Sequence, residues 1–343
     1  MSTKPKVLRV GQIEYAHERW NQLESIAEII DCTSQSREEF IHDLKTKYSD
    51  VTCVSRTFYS YPMTGKLDKE IAEAMSPTVK TLSHNGAGYD HIVVDEFTKK
   101  GIQVSNVTFP VEDPTADTAI YLMLGCMRNF QQGRELLRSG NWPKNGGVEA
   151  GGVRMGHTPK GKVVGILGMG RIGRAIRDRL IPFKFNRIIY YNRNRLDPEL
   201  EGASAEYVSF DELLQSSDII IVSMPLNEST THMINPKTIE KMKDGVIIIN
   251  IARGAIIDEQ HLPKYLKSGK ISSFGSDVFE KEPIVSPDLY NLPNVITLPH
   301  MGTHAIEALK YMEEWVVDNI ECFINTGKVK TIVPEQYNMK ILE

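Results

Sequence analysis

Three polar residues in the second half of the chain follow apolar runs that are typical of buried strands. They are Arg253, Glu282 and His300. In open parallel sheets the carboxyl ends of strands share one edge, and ligands bind there. A guanidinium can hold a carboxylate and polarise a carbonyl, an imidazole can give a proton to the carbonyl oxygen, and a carboxylate can orient that imidazole. The set suits hydride transfer to a 2-oxo acid.

Each of these residues also has an ordinary structural explanation. Arg253 in its loop could be a surface charge, Glu282 before Pro283 could be a turn residue, and His300 could be a packed histidine. Their shared position beyond one nucleotide motif favours a joint function. His300 and His304 stand four residues apart. Because Gly302 between them disfavours a helix, we expect no metal site.

The nucleotide motif is Gly168-x-Gly170-x-x-Gly173, which follows the apolar run Val163–Leu167 and leads into a helical pattern, Arg171–Leu180. The first glycine permits a tight turn, the second lets a pyrophosphate approach the backbone, and the third lets helix and strand pack closely. The phosphates would face the positive end of the helix.

The strand Arg187–Tyr191 ends in Asn192, which lies 19 residues beyond Gly173. NAD sites have an acid at about this distance, which binds the ribose 2′-OH. A neutral amide does not repel a 2′-phosphate, and Arg193 or Arg195 could clasp it with a guanidinium. We therefore predict a preference for NADPH over NADH, with solvated surface charge as the alternative explanation of the arginines.

A second Gly-x-Gly, Gly86-Ala87-Gly88, follows the predicted strand Val79–Leu82 but lacks the third glycine of a nucleotide motif. Its backbone N–H groups could form a site for a substrate carboxylate. A tight turn with Asp90 capping the next helix is compatible with that function.

Short apolar strands alternate with helical patterns from residue 6 to 107, which predicts a parallel sheet. The predicted strands are Val7–Val10, Val51–Val54, Val79–Leu82 and Ile102–Val104, and Trp20–Ile30 has helical spacing. A long helix is predicted from Thr115 to Ser139, followed by a loop from 140 to 160.

A second α/β run begins at Lys162, and after Arg187–Tyr191 its predicted strands are Ile219–Val222, Val246–Ile249, Ser273–Val278 and Val295–Thr297. The last predicted helix, 305–323, has an apolar face and should pack on the first domain. We expect two Rossmann-like or flavodoxin-like parallel-sheet domains with an active-site cleft between them. The substrate-binding domain would comprise 1–110 and 303–343, and the dinucleotide-binding domain 111–302.

Composition excludes several other classes of protein. The chain has 343 residues, of which 41% are hydrophobic and 24% are charged, as in ordinary globular proteins. Its net charge is −4, so it has no overall positive charge that would attract nucleic acid or a membrane surface. No signal-like apolar core starts the chain, and the four cysteines lack zinc or redox spacing, so we expect a cytoplasmic protein.

These motifs resemble those of the D-isomer-specific 2-hydroxyacid dehydrogenases, and within them the fungal glyoxylate/hydroxypyruvate reductases. The matching stretches are Asn85–Asp90, Asp113–Thr118, Gly165–Gly173, Pro225–Asn227, Asn250–Asp258, Asp277–Pro283 and Leu298–His300. The resemblance implies a catalytic triad of Arg253, Glu282 and His300, and a homodimer. It also implies backbone donors to the substrate carboxylate at Ala87 and Gly88.

The resemblance further implies that Asp277 binds the nicotinamide carboxamide and that Thr115 contacts the cofactor. The full set of expected cofactor contacts is Thr115, Gly168, Met169, Gly170, Arg171, Ile172, Asn192, Arg193, Arg195, Pro225, Ala252, Asp277 and Gly302. The implied activity is NADPH-dependent reduction of glyoxylate and hydroxypyruvate, and acceptance of NADH is left open.

Two other functions stay open. One is reduction of bulkier acids such as 2-oxoisocaproate or phenylglyoxylate, because Phe58, Tyr59, Tyr61 and Met63 could line a larger pocket or narrow it, or could be core residues. The other is a cofactor-sensing corepressor or scaffold on the same fold, since a fold does not fix a function.

Overall fold

Runs rich in valine and isoleucine form the strands of two sheets in which every strand pair is parallel. The computed structural model describes residues 4–145 and 149–338. The chain divides into two compact units, Met1–Val111 with His304–Glu343 (unit 1) and Glu112–Thr303 (unit 2). Two parallel sheets with intervening helices confirm the predicted α/β fold class.

Unit 1 contains a five-stranded sheet in the order β2-β1-β3-β4-β5. Its elements are β1 Lys6–Val10, α1 His17–Leu23, β2 Glu28–Asp31, α2 Arg37–Lys45, β3 Cys53–Thr57, α3 Tyr61–Thr64, α4 Lys69–Ala74, β4 Thr81–Asn85, α5 Val94–Lys99 and β5 Gln103–Ser105. This is the flavodoxin-like strand order, in which right-handed crossovers place helices over the sheet.

Unit 2 contains a seven-stranded sheet in the order β12-β11-β10-β9-β6-β7-β8. Its elements are α6 Glu112–Arg128, α7 Phe130–Arg138, β6 Val163–Leu167, α8 Arg171–Leu180, β7 Arg187–Tyr191, α9 Pro198–Glu201, β8 Glu206–Tyr207, α10 Phe210–Ser216, β9 Ile219–Val222, α11 Pro236–Glu240, β10 Val246–Asn250, α12 Leu262–Ser268, β11 Ile271–Ser276, α13 Pro287–Tyr290 and β12 Val295–Thr297. The strand order reverses between β6 and β9, where dinucleotides bind in Rossmann folds.

Both faces of the unit 2 sheet are covered by apolar side chains. Ile219 and Ile221 belong to one buried cluster, and Ile220 and Val222 belong to another. Successive side chains of a strand point to opposite faces, so the continuous apolar run reflects burial on both sides.

The last helix, α14 Ile306–Thr326, belongs to unit 1, where it packs against β4 and α1. Its buried face includes Met312, Trp315, Val316 and Ile320, whereas Leu309 is only half-buried. Among the described residues, no helix is long and apolar enough to cross a membrane.

Two helix predictions were wrong in part. Trp20–Ile30 was predicted to be helical, but the helix ends at Leu23. Glu28–Asp31 instead forms an edge strand that pairs with β1, because the β-branched Ile29 and Ile30 favour a strand. The long helix over Thr115–Ser139 is two helices, because Asn129 takes a left-handed conformation with φ 53° and breaks the hydrogen-bonding ladder.

Candidate active site

The glycine loop of unit 2 has the geometry that a pyrophosphate needs. Gly168 has φ 100°, and a Cβ there would lie 2.6 Å from the backbone N of Met224. A Cβ at Gly173 would collide with the carbonyl oxygen of Gly168, so helix α8 can approach β6 only with glycine there. A Cβ at Gly170 would meet no atom within 4 Å among the described residues, which leaves this face of the loop open for a ligand.

Asn192 has a function in this loop that the sequence did not reveal. Its side-chain Oδ1 accepts a 2.7 Å hydrogen bond from the backbone N–H of Met169, so the side chain fixes the middle of the glycine loop. The remaining polar group of the amide is Nδ2, a donor. A donor suits a phosphate better than a carboxylate does.

The two arginines after Asn192 differ in their surroundings. Arg195 donates to Glu201 with both Nε and Nη2, at 2.7 and 3.0 Å. The Arg195 side chain is 65% exposed, the Glu201 side chain 8%, and this bond lowers the pKa of Glu201. Arg193 is exposed. Part of the Arg195 guanidinium is therefore already bound to the carboxylate of Glu201.

The central feature of unit 2 is a hydrogen bond of 2.7 Å between His300 Nδ1 and Glu282 Oε2. The other carboxylate oxygen of Glu282 accepts from the backbone N–H of Phe279 at 2.8 Å. These two bonds hold the Glu282 side chain between its own loop and the imidazole. His300 is 44% exposed and Glu282 33%, so a ligand can reach the imidazole.

Electrostatics favour the ionised form of Glu282. Burial acts to raise the pKa of Glu282, but the hydrogen bond from His300 and the positive charges of His300 and Arg253 outweigh it, so the pKa lies below its usual value. Arg253 is therefore close enough to influence the dyad. The structure brings the three predicted catalytic residues together in unit 2.

The backbone of His300 is held in an unusual conformation. Its φ is 51°, in the left-handed region, and its N–H donates to the carbonyl oxygen of Asp277 at 2.8 Å. The carboxylate of Asp277 accepts from the N–H groups of Met301 and Gly302, both at 2.7 Å. Asp277 thus fixes the loop that carries the imidazole.

Burial raises the pKa of Asp277, and the two backbone donors oppose that shift. Thr115 and Gly302 adjoin this carboxylate, because a Cβ at Gly302 would lie 3.0 Å from Asp277 Oδ2 and 3.5 Å from Thr115 Cγ2. Three expected cofactor contacts therefore lie side by side in the structure.

Arg253 follows β10 and is held by a residue that the sequence analysis missed. The fully buried Asn250 accepts from the N–H of Ala252 at 3.1 Å and donates to the carbonyl oxygen of Arg253 at 2.9 Å. The Arg253 guanidinium also donates to the carbonyl oxygen of Ala252 at 2.8 Å. An asparagine at a strand end could have indicated this support.

The remaining expected cofactor residues lie around the same sheet edge. Pro225 follows β9, and Ala252 follows β10. Arg171 and Ile172 begin α8, and Arg171 lies 3.4 Å from the Glu112 carboxylate.

In unit 1, the loop after β4 presents two backbone donors. The carbonyl oxygens of Gly86 and Ala87 accept from Val107 N–H at 3.0 Å and from the Asn106 amide at 2.7 Å. The N–H groups of Ala87 and Gly88 have no acceptor in the described part of the chain. Two adjacent donors without acceptors can bind an anion.

The aromatic residues after β3 are not buried in the core. Phe58, Tyr59 and Tyr61 are exposed, while Met63 packs partly against the apolar core of unit 1. Core packing, one of the alternatives that the sequence left open, therefore does not explain the three aromatic side chains.

Residues 120–302 match the family model described as D-isomer specific 2-hydroxyacid dehydrogenase, NAD binding domain. Glyoxylate reductase 1 of Saccharomyces cerevisiae is 50% identical over 98% of this chain and 97% of that protein. The 4-methyl-2-oxopentanoate reductase A of Aspergillus oryzae is 45% identical over 98% of this chain and 99% of its own length.

Among solved structures, a glyoxylate reductase from Paecilomyes thermophila aligns with a TM-score of 0.92 and 44% identity. The alignment covers 98% of this chain and 100% of that one. Sequence and fold therefore agree over nearly the full length of each.

Proposed function

This chain belongs to the D-isomer specific 2-hydroxyacid dehydrogenase family, and from that premise we propose that it reduces glyoxylate to glycolate and hydroxypyruvate to D-glycerate with NADPH. It is an oxidoreductase that uses a nicotinamide cofactor. The observation that carries the proposal is the 2.7 Å hydrogen bond between Glu282 and His300 in the unit that also holds the open glycine loop.

His300 is the proposed proton donor. Glu282 engages its Nδ1, so Nε2 is the nitrogen that can face a substrate. When bound, the nicotinamide supplies the hydride that adds to the carbonyl carbon. The proton from His300 Nε2 completes the new hydroxyl group, and the imidazole is left neutral until solvent reprotonates it.

The other polar groups have proposed functions in binding and orientation. Glu282 holds the imidazole in a fixed orientation through its Nδ1 atom. Arg253 binds the substrate carboxylate and polarises the carbonyl, since a guanidinium offers two parallel donors. In unit 1, the backbone N–H groups of Ala87 and Gly88 would donate to a substrate carboxylate. We thus propose that unit 1 binds substrate and unit 2 the cofactor.

The proposed preference for NADPH has its support in the loop after β7. The Asn192 side chain directs its oxygen to Met169 and leaves its amide donor, and Arg193 is exposed beside it. Arg195 can contribute only with the part of its guanidinium that Glu201 does not bind. Gly170 provides the open face on which the pyrophosphate would lie.

A second candidate substrate class is the bulkier 2-oxo acids. The relative from Aspergillus oryzae is named as a 4-methyl-2-oxopentanoate reductase. The exposed aromatic side chains after β3 could contact an apolar substrate side chain. We rank the small acids first because the relative from Saccharomyces cerevisiae has the higher identity.

The test is oxidation of NADPH and NADH by the purified protein with glyoxylate, hydroxypyruvate, 4-methyl-2-oxopentanoate and phenylglyoxylate in turn. Faster oxidation of NADPH with the two small acids supports the proposal. A preference for the bulky acids would change the assigned substrate to the bulkier 2-oxo acids and leave the proposed mechanism unchanged. No oxidation with any acid would favour the corepressor or scaffold function.

We also propose a homodimer in the cytoplasm. Exposed apolar side chains cluster in sequence on α6, α7 and the segment after them, namely Tyr121, Phe130, Leu137, Trp142 and Met155. If these side chains form one contiguous apolar patch, that patch would mark a protein–protein interface. The four cysteines are free thiols, which suits a reducing compartment.

A further inference from the structure

Unit 1 contains a buried arginine whose guanidinium has no hydrogen-bond partner among the described residues. Arg56 lies in β3, and its side chain is 1% exposed. Within residues 4–145 and 149–338, its Nε, Nη1 and Nη2 atoms have no hydrogen-bond acceptor. Native proteins almost always pair buried charges, so this guanidinium calls for an explanation.

The neighbours recorded at this position are aromatic rings. The guanidinium carbon lies 5.6 Å from the centre of the Tyr61 ring. The Tyr61 and His91 ring centres are 6.1 Å apart, and Phe58, His84 and His91 contact one another at tilted or edge-to-face angles with ring centres 4.6 to 5.1 Å apart. A cation–π contact offsets only part of the cost of removing a cation from water.

Arg56 remains charged in this environment. Burial lowers the pKa of Arg56 to about 10, and Tyr61 partly opposes that shift. No carboxylate of the described residues contributes to this pKa. At neutral pH the site therefore holds a positive charge that no described residue neutralises.

The ring cluster adjoins the Gly86–Gly88 loop. His84 is the register partner of Arg56 in the neighbouring strand β4. A Cβ at Gly86 would lie 2.6 Å from His84 Nε2 and would collide with the Phe58 ring. The loop that presents the two free N–H donors of Ala87 and Gly88 thus rests on the cluster that contains Arg56.

We propose that Arg56 is the cation of a carboxylate-binding site in unit 1 whose backbone donors are Ala87 and Gly88. The assignment of the ligand as the carboxylate of the 2-oxo acid rests on the proposed function. Two independent observations support this site: a buried cation without a counter-ion among the described residues, and two adjacent N–H groups on the loop that packs against the same ring cluster. Tyr61 is 46% exposed, so the ring cluster that contacts Arg56 reaches the protein surface.

The test compares Arg56→Met with Arg56→Lys and with a matched control. Arg9→Met removes an arginine from the adjacent strand β1, where Arg9 bonds to Asp31 and stacks on Trp20. In Arg56→Met we expect the KM for glyoxylate to rise at least tenfold with the KM for NADPH within twofold of wild type. Arg56→Lys should show a smaller rise, and Arg9→Met none.

Stability separates binding from a structural function. If Arg56 forms an anion-binding site, the ligand-free protein contains an uncompensated buried charge. Removing that charge in Arg56→Met should leave the melting temperature of the ligand-free protein equal to or above that of wild type. A lower melting temperature with unchanged KM would show that Arg56 only supports the fold and would overturn the proposal. If Arg56→Met fails to fold, an Arg56→Lys variant with wild-type KM would overturn it equally.

Anion titration tests the site without turnover. Titrating oxalate into wild type and Arg56→Met, without cofactor and in chloride-free buffer, should show binding that the variant loses at least tenfold. The oxalate titration tests the carboxylate site even if wild type reduces no 2-oxo acid and the proposed function is wrong. Equal oxalate affinity in both proteins, or loss of inorganic phosphate binding alone, would contradict a carboxylate site at Arg56.

Discussion

At the scale of single residues, the site combines side chains that the sequence identified with supporting residues whose function it did not reveal. Arg253, Glu282 and His300 could be predicted because each follows an apolar run. Asp277 and Asn250 act by binding backbone groups of the catalytic loops. The bonds of Asp277 to Met301 and Gly302 join residues 24 and 25 positions apart, which a strand pattern does not reveal, whereas those of Asn250 are local.

Glu282→Gln tests the charge of the dyad. A carboxyl whose pKa is lowered on folding stabilises the protein above its unfolded pKa and loses that contribution as the pH falls through the folded value. Since Glu282 is 33% exposed, we expect the variant to lose at most about 1 kcal/mol of unfolding free energy near pH 7. The difference should be smaller at about pH 3.5, below the ordinary carboxyl pKa, than near pH 7, and it should continue to fall as the pH drops through the folded pKa.

Urea unfolding of wild type and variant at the two pH values measures this difference. Glu280→Gln, in the same loop, is the control; it should keep turnover while Glu282→Gln loses most of it. A stability difference that persists unchanged in acid would contradict the assigned pKa direction.

Asn192→Asp tests coenzyme choice with a nearly isosteric change. The aspartate keeps an oxygen for the Met169 N–H but replaces the Nδ2 donor with negative charge. We expect the KM for NADPH to rise at least about tenfold and the KM for NADH to fall, because a carboxylate repels a 2′-phosphate and accepts from a ribose hydroxyl. Arg193→Ala should weaken NADPH binding more than Arg195→Ala does, because Glu201 already binds part of the Arg195 guanidinium. Equal changes for both coenzymes would contradict this function of the loop.

At the scale of elements, the clearest predictions were those with two signals. Helix Arg171–Leu180 and strand Arg187–Tyr191 have the predicted bounds, because glycine chemistry and apolar runs coincide there. The edge strands Glu28–Asp31 and Glu206–Tyr207 escaped prediction. Short edge strands bury little apolar surface and are determined by pairing with a neighbour.

A pair of glycine substitutions separates folding from cofactor binding. Gly170→Ala places a methyl group in open space, so the protein should fold with near wild-type stability and bind NADPH at least about tenfold more weakly. Gly173→Ala forces a methyl group against the Gly168 carbonyl and should cost about 1–3 kcal/mol of stability. Thermal unfolding and NADPH titration measure both effects. Wild-type NADPH affinity in Gly170→Ala would show that the phosphates lie elsewhere.

At the scale of the whole molecule, the discontinuous path of the chain has a local cause. Helix α14 carries Glu313, whose carboxylate accepts the backbone N–H groups of Glu14, Tyr15 and Ala16 at 2.7 to 2.9 Å. These bonds join the end of the chain to its beginning within unit 1. The apolar face of α14 predicted that the helix packs, and the polar anchor was not visible in the sequence.

The proposed homodimer is testable at this scale. Phe130→Ser combined with Leu137→Ser removes two exposed apolar side chains from α7. We expect sedimentation to show a dimer for wild type and a smaller species for the variant, since apolar burial drives association. Wild type that sediments as a monomer, or a variant that stays dimeric, would contradict an interface at α7.

The most direct test of the account is the initial rate of glyoxylate reduction by NADPH, measured in parallel for wild type and His300→Ala. The account predicts turnover by wild type and a loss in kcat of about 100- to 10,000-fold in the variant, with unchanged NADPH affinity, because a proton donor is removed. A variant as fast as wild type would contradict the assignment of His300 as the acid. Absence of wild-type turnover would contradict the proposed reaction itself.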